Sequence, residues 1–152
     1  MNYNTTFWSR FTVKSRGRFD EKKGYISKRI DTFDPTEITQ LLKTEPEHVC
    51  VYGNHKEGIS NPESVYMFSG WFSQKIKEPP IDRGEHCHSI IRMLAPYEKE
   101  LIEYKKEHGV NYEITFVVYD GDGTDIIIDS EVIDFCSKLS IEIRFETFLM
   151  SN

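Results

Sequence analysis

Phe33-Asp34-Pro35-Thr36-Glu37-Ile38-Thr39-Gln40-Leu41-Leu42-Lys43-Thr44-Glu45-Pro46 is the stretch on which the fold is read. Asp34 has the side chain of a helix cap, Pro35 suits the first turn, and Glu37 stands three residues after the cap to complete a capping box. Ile38, Leu41 and Leu42 form an apolar stripe at helical spacing, and Pro46 forbids continuation. The spacing predicts a helix from Pro35 to about Leu42. The segment carries no obvious chemistry, so its expected role is structural.

Upstream, Phe7, Ser9, Phe11 and Val13 alternate with Trp8, Arg10, Thr12 and Lys14, which is strand periodicity. Arg16 to Ile30 holds Gly17, Gly24 and few core candidates, and reads as an extended loop or hairpin turning near Asp20–Gly24. Downstream, His48–Tyr52 and Val65–Lys75 read as strands, the second ended by Glu78-Pro79-Pro80. Cys87, Ile90, Leu94, Tyr97, Leu101, Tyr104 and His108 recur at threes and fours. Pro96 implies a kink or two abutting helices, and Gly109 a stop.

Tyr112, Ile114, Phe116 and Val118 alternate with polar or exposed-face neighbours as another strand. Asp120–Thr124 reads as a turn into a hairpin strand over Asp125–Ile128. Asp129 or Ser130 caps a short helix with a stripe of Val132, Ile133, Cys136 and Leu139, and Ile141 to Leu149 closes the chain as a strand. The order β-α-β-β-α-β-β-α-β predicts an α+β domain spanning 1–152, with a largely antiparallel sheet and helices mainly on one face.

The charge is divided. Residues 1–30 carry eight basic and two acidic side chains, and the remainder 11 basic and 23 acidic, within a net charge of −6 over 152 residues. An acidic body behind a basic arm favours basic partners over nucleic acid. The widely spaced Cys50, Cys87 and Cys136 imply no disulfide framework and read as buried thiols. No apolar run is long enough to span a membrane, and Met1–Thr6 lacks a secretory pattern, so a cytoplasmic protein is expected.

The first strand, Phe33-Asp34-Pro35-x-Glu37-Ile38-Thr39-x-x-Leu42, Glu45-Pro46, Gly53, Gly70-Trp71 and the paired Ile90-Ile91 together resemble a bacterial family called domain of unknown function 4279. Two departures stand out. Lys43 occupies a place where the family commonly has glycine, and Arg16–Ile30 looks like an insertion. The resemblance implies an α+β fold, no catalytic residues to carry over, and relatives some of which are associated with toxin–immunity loci.

Several features could carry chemistry. Glu85-His86-Cys87-His88 offers zinc-type donors, but on a helix His86 and His88 do not share a face and the spacing is not that of a zinc finger. Asp120, Asp122 and Thr124, with Glu131 at the twelfth place, mimic a calcium loop, yet its sixth-place glycine is replaced by Asp125. His86, His88, Asp120 and Asp122 are thus the metal candidates, and no cofactor is expected. Arg16, Arg18, Lys22 and Lys23 are the candidate partner-binding residues. Trp71 beside Gly70 reads as a packing residue, and the charges from Glu98 to Glu107 as a solvated helix face.

These readings favour a non-enzymatic protein-binding module, an immunity protein whose acidic face meets a basic toxin. One alternative is a small metal-dependent or hydrolytic enzyme using the His86/His88 region. The other is nucleic-acid binding through the arm, which the acidic body disfavours.

Overall fold

Strand β1 (Thr6–Lys14) is the spine of the sheet, with neighbours on both sides. The computed structural model describes residues 6–20, 25–29, 33–78, 87–120 and 126–149. On one side β1 runs antiparallel to β7 (Asn111–Asp120) along its whole length, from Thr6↔Tyr119 to Lys14↔Asn111. On the other it meets β5 (Gly70–Phe72) through Thr12–Lys14 and β6 (Ile76–Lys77) through Trp8 and Ser9. β4 (His48–Cys50) extends the sheet beyond β5, giving the order β4-β5-β1-β7-β8. β2 (Gly17–Asp20) and β3 (Tyr25–Arg29) form a separate antiparallel hairpin, as read for the arm.

Of the strand expected over Val65–Lys75 only β5 forms; β6 lies past its expected end, and a serine occupies the gap between the two. Ser73 takes part in the β1 ladder with both backbone and side chain: its N–H donates to the Phe11 carbonyl and its Oγ accepts from the Phe11 N–H at 3.0 Å. A hydroxyl in place of a carbonyl lets the chain bulge between the two short strands without orphaning a buried amide. Gly70 is required where it stands, because a Cβ there would lie 2.9 Å from Phe72, 3.0 Å from Phe68 and 3.1 Å from Cys50 Sγ. Trp71 is fully buried and donates its indole N–H to Thr39 Oγ1 at 3.0 Å, so it packs as expected.

α1 (Pro35–Leu42) has the predicted bounds. Asp34 caps it by accepting from the Thr36 N–H at 2.9 Å, while the Glu37 carboxylate is engaged by Tyr104. Lys43 ends the helix in the left-handed conformation, φ 51°, which glycine adopts more readily. α2 (His88–Leu94), a 3-10 turn (Ala95–Tyr97) and α3 (Glu98–His108) abut at Pro96, and Gly109 closes α3 with φ 63°. Lys105 departs from the solvated face expected for α3. Its ammonium donates to the Leu139 and Ser140 carbonyls at the end of α4 (Ser130–Leu139).

Two corrections concern the C-terminal third. Ile126–Ile128 forms no strand, although Ile126 and Ile128 pack on the core and Ile127 is exposed. Alternation there reports burial of an extended connection, and burial does not require a ladder partner. β8 (Ile141–Leu149) is accordingly reached through α4 and lies parallel to β7, from Tyr112↔Ile141 to Asp120↔Leu149, the one parallel pair among the described strands of the sheet. In α4 the buried stripe uses Phe135 where Ile133 was expected; Ile133 is 52% exposed.

The core joins one face of β1 and β7 (Phe7, Phe11, Val13, Tyr112, Ile114, Phe116) to Ile38, Leu42, Ile90, Leu94, Leu101 and Val132 from the helices. All three cysteines are buried, and none takes part in a disulfide among the described residues. Among the described residues no helix is long and apolar enough to cross a membrane.

Candidate functional site

The helix-capping stretch that organises the fold also walls a groove. Phe33, Asp34, Pro35 and Glu37 face Val51, Tyr52, Ser69 and His108 around an open depression of about 500 Å³. Its geometry is set from three directions. Ser69 Oγ accepts from the Tyr52 N–H at 3.0 Å and holds the exit of β4 against the groove. Tyr104 donates its hydroxyl to Glu37 Oε2 at 2.9 Å, tying α3 to α1. The His108 ring stacks on Tyr104 with centroids 4.1 Å apart and puts Nε2 3.6 Å from the same carboxylate oxygen.

The lining is acidic and aromatic. Bonds from Thr36 keep the Asp34 carboxyl below the usual carboxylate range. Burial, reinforced by Glu37, pushes the Tyr104 phenol upward, so it stays a neutral donor. Tyr52, 45% exposed, and Val51, 39%, add an open apolar rim beside the short edge strand β4. Carboxylates next to aromatic faces suit a cationic side chain.

A second cluster joins α2 to α4. His88 Nε2 lies 2.7 Å from Asp129 Oδ2 and 3.9 Å from Glu131 Oε2, and donor atoms of all three fall within 4.8 Å of one another. Asp129 is the N-cap of α4, its Oδ1 accepting from the Val132 N–H at 3.1 Å. Bonds to Val132 and then His88 keep the Asp129 carboxyl below its ordinary range. α2 starts without a cap of its own: Cys87 is left-handed, φ 60°, and the buried Glu78 carboxylate serves instead. It accepts from the Ser89 N–H at 3.1 Å, the Ile90 N–H at 3.3 Å and Ser9 Oγ at 2.8 Å. Burial, with Glu78 and Asp129 nearby, pushes the Cys87 thiol up to about 12. It is a core thiol with no reactive character.

Of the residues singled out from sequence, His88 is brought into a cluster, with Asp129 and Glu131 as partners. By sequence Asp129 is a helix cap and Glu131 the twelfth place of a calcium-type loop; convergence on His88 leaves no trace in spacing. His86, Asp122, Lys22 and Lys23 lie outside the described residues. Asp120 ends β7, and Arg18 lies in β2, with neither side chain described. Arg16 is exposed at the foot of the hairpin, close enough for its charge to oppose that of Lys105. The groove residues Phe33, Asp34, Pro35 and Glu37 had been assigned a structural role only; an aspartate that caps a helix is also a surface charge, and the local pattern shows only the first.

A mixed sheet with helices against one face, and an acidic groove at a helix start, define a small α+β protein with a built surface depression. The chain belongs to the family described as Domain of unknown function (DUF4279), whose model matches residues 24–149. The match begins within the arm and takes in β3 and all that follows through β8. No curated protein and no solved structure matches the chain.

Proposed function

We propose that this protein is a non-enzymatic binding module, an immunity protein that neutralises a basic bacterial toxin by docking it at the groove between α1, the exit of β4 and the end of α3. The observation that carries this reading is the groove lining: Asp34 and Glu37 stand beside the exposed Tyr52 and the rim residue Val51. A lysine or arginine of the partner would place its charge between the carboxylates and its stem along the aromatic rim. Long-range attraction follows from the 23 acidic against 11 basic side chains after residue 30, and speeds encounter in low salt. The association of some family relatives with toxin–immunity loci agrees with this.

The test is co-purification with the product of the neighbouring gene and protection of cells that express it. A complex whose association rate falls with salt, and which Tyr52→Ala and Asp34→Asn weaken, supports the proposal. Failure to form a complex, together with failure to protect, rejects it. Asp34→Asn is informative because asparagine caps a helix about as well as aspartate, so the charge is removed and α1 kept.

A further inference from the structure

We infer that His88, Asp129 and Glu131 form a binding site for one divalent first-row transition ion of the zinc type. The donor set is one imidazole nitrogen and two carboxylate oxygens, a mixture that suits zinc and its neighbours and that magnesium, which favours all-oxygen shells, does not select. Two of the three donor spacings lie near what such an ion requires, and the third is within 4.8 Å. Ligand atoms each about 2.0–2.1 Å from a tetrahedral ion stand roughly 3.3 Å apart. His88 Nε2 is 2.7 Å from Asp129 Oδ2 and 3.9 Å from Glu131 Oε2, so one gap opens and the other closes by about half an ångström.

The first two ligands are held by their surroundings. Asp129 Oδ1 is occupied by the Val132 N–H, which turns Oδ2 toward His88. His88 is the first residue of α2, whose start is anchored by the Glu78 carboxylate on Ser89 and Ile90. The imidazole is mostly buried, its side chain 13% exposed, whereas Glu131 is 71% exposed and closes the site from the solvent side. The ion takes the place of the proton that Nε2 shares with Asp129, and the neutral ring keeps its one hydrogen on Nδ1. Three protein ligands leave a fourth position for water. This reading is independent of the groove, whose lining contains none of these residues.

Zinc chloride titrated calorimetrically into the full, untagged protein tests it, with magnesium chloride as control. One equivalent of zinc is expected, with affinity reduced at least about tenfold in Glu131→Gln and in Asp129→Asn, since even residues that merely support metal ligands cost that much when changed. Asparagine keeps the α4 cap, and Glu131 is exposed, so both variants retain the fold. The ring-nitrogen resonances of His88 should shift on zinc addition. No uptake, uptake unchanged in both variants, or an unmoved His88 signal overturns the inference.

Discussion

Tyr104 donates its hydroxyl to the Glu37 carboxylate at 2.9 Å, joining two helices across 67 positions of sequence and fixing the wall of the groove. The phenol is buried at 8% exposure while the carboxylate side chain is 43% exposed, so water can replace the lost donor on one side only. Tyr104→Phe should lower unfolding stability by about 1 kcal/mol in urea titration, the usual net value of such a bond. It should also weaken partner binding more than that loss of stability explains, because Glu37 is freed to move.

Glu78 is a cap supplied from outside its helix, and it is buried. Glu78→Ala removes the acceptor for Ser9 Oγ and for the Ser89 and Ile90 N–H groups at one stroke. Orphaning buried donors costs about 1–3 kcal/mol each before relaxation, so a loss of at least 2 kcal/mol is expected, with Glu78→Gln milder. Chemical denaturation of both variants checks the order.

Lys43 holds a left-handed conformation at φ 51° at the end of α1. That geometry costs a non-glycine residue about 1–2 kcal/mol, against which glycine loses about 0.5–1 kcal/mol of chain entropy. Lys43→Gly should therefore be neutral to stabilising by up to about 1 kcal/mol, seen as a rise in Tm. A clear loss would mean that the lysine side chain contributes more than its backbone costs.

Asp34 sets a pH dependence whose sign is definite. Its folded carboxyl lies below the ordinary 3.8 because Thr36 hydrogen-bonds the ionised form. The stability it adds is complete above that ordinary value and is lost as pH falls through the lowered folded one. Asp34→Asn, which caps without titrating, should flatten this part of the acid side of the stability profile. Stability measured from pH 7 to pH 2 for both proteins gives the comparison.

Cysteine chemistry should be silent in the folded state. Burial holds the Cys136 thiol at about 11 and Cys87 at about 12, and Cys50 is 3% exposed. A thiol reagent at pH 8 should label none of the three rapidly, and all three after denaturation. Fast labelling of the native protein would contradict the burial described for α2 and α4.

Local signals in the chain set the ends of the helices. Asp34 and Pro35 mark the start of α1, and Pro46 lies beyond its end at Leu42; Pro96 divides α2 from α3, and Asp129 starts α4. Each signal acts within a few residues through a missing donor or a side-chain cap. The strand expected over Val65–Lys75 stops after Phe72 because a buried serine hydroxyl replaces a ladder carbonyl, and nothing in an alternating pattern reveals that. Ile126–Ile128 was misread because packing on the core imposes alternation even where no strand pairs. The arm reads from sequence as either an extended loop or a hairpin, and the pairing of β2 with β3 selects the second.

The sequence by itself determined the α+β class, the family, the helix boundaries and the division of charge, because these depend on neighbours along the chain and on composition. Tertiary structure alone decided that β8 runs parallel to β7, that Glu37 meets Tyr104 and His108, and that His88 meets Asp129 and Glu131. Those contacts join residues tens of positions apart, and the free energy that selects them comes from packing the core behind the sheet. A single chain read in order carries the parts of the groove and of the cluster, and only folding brings them within bonding distance.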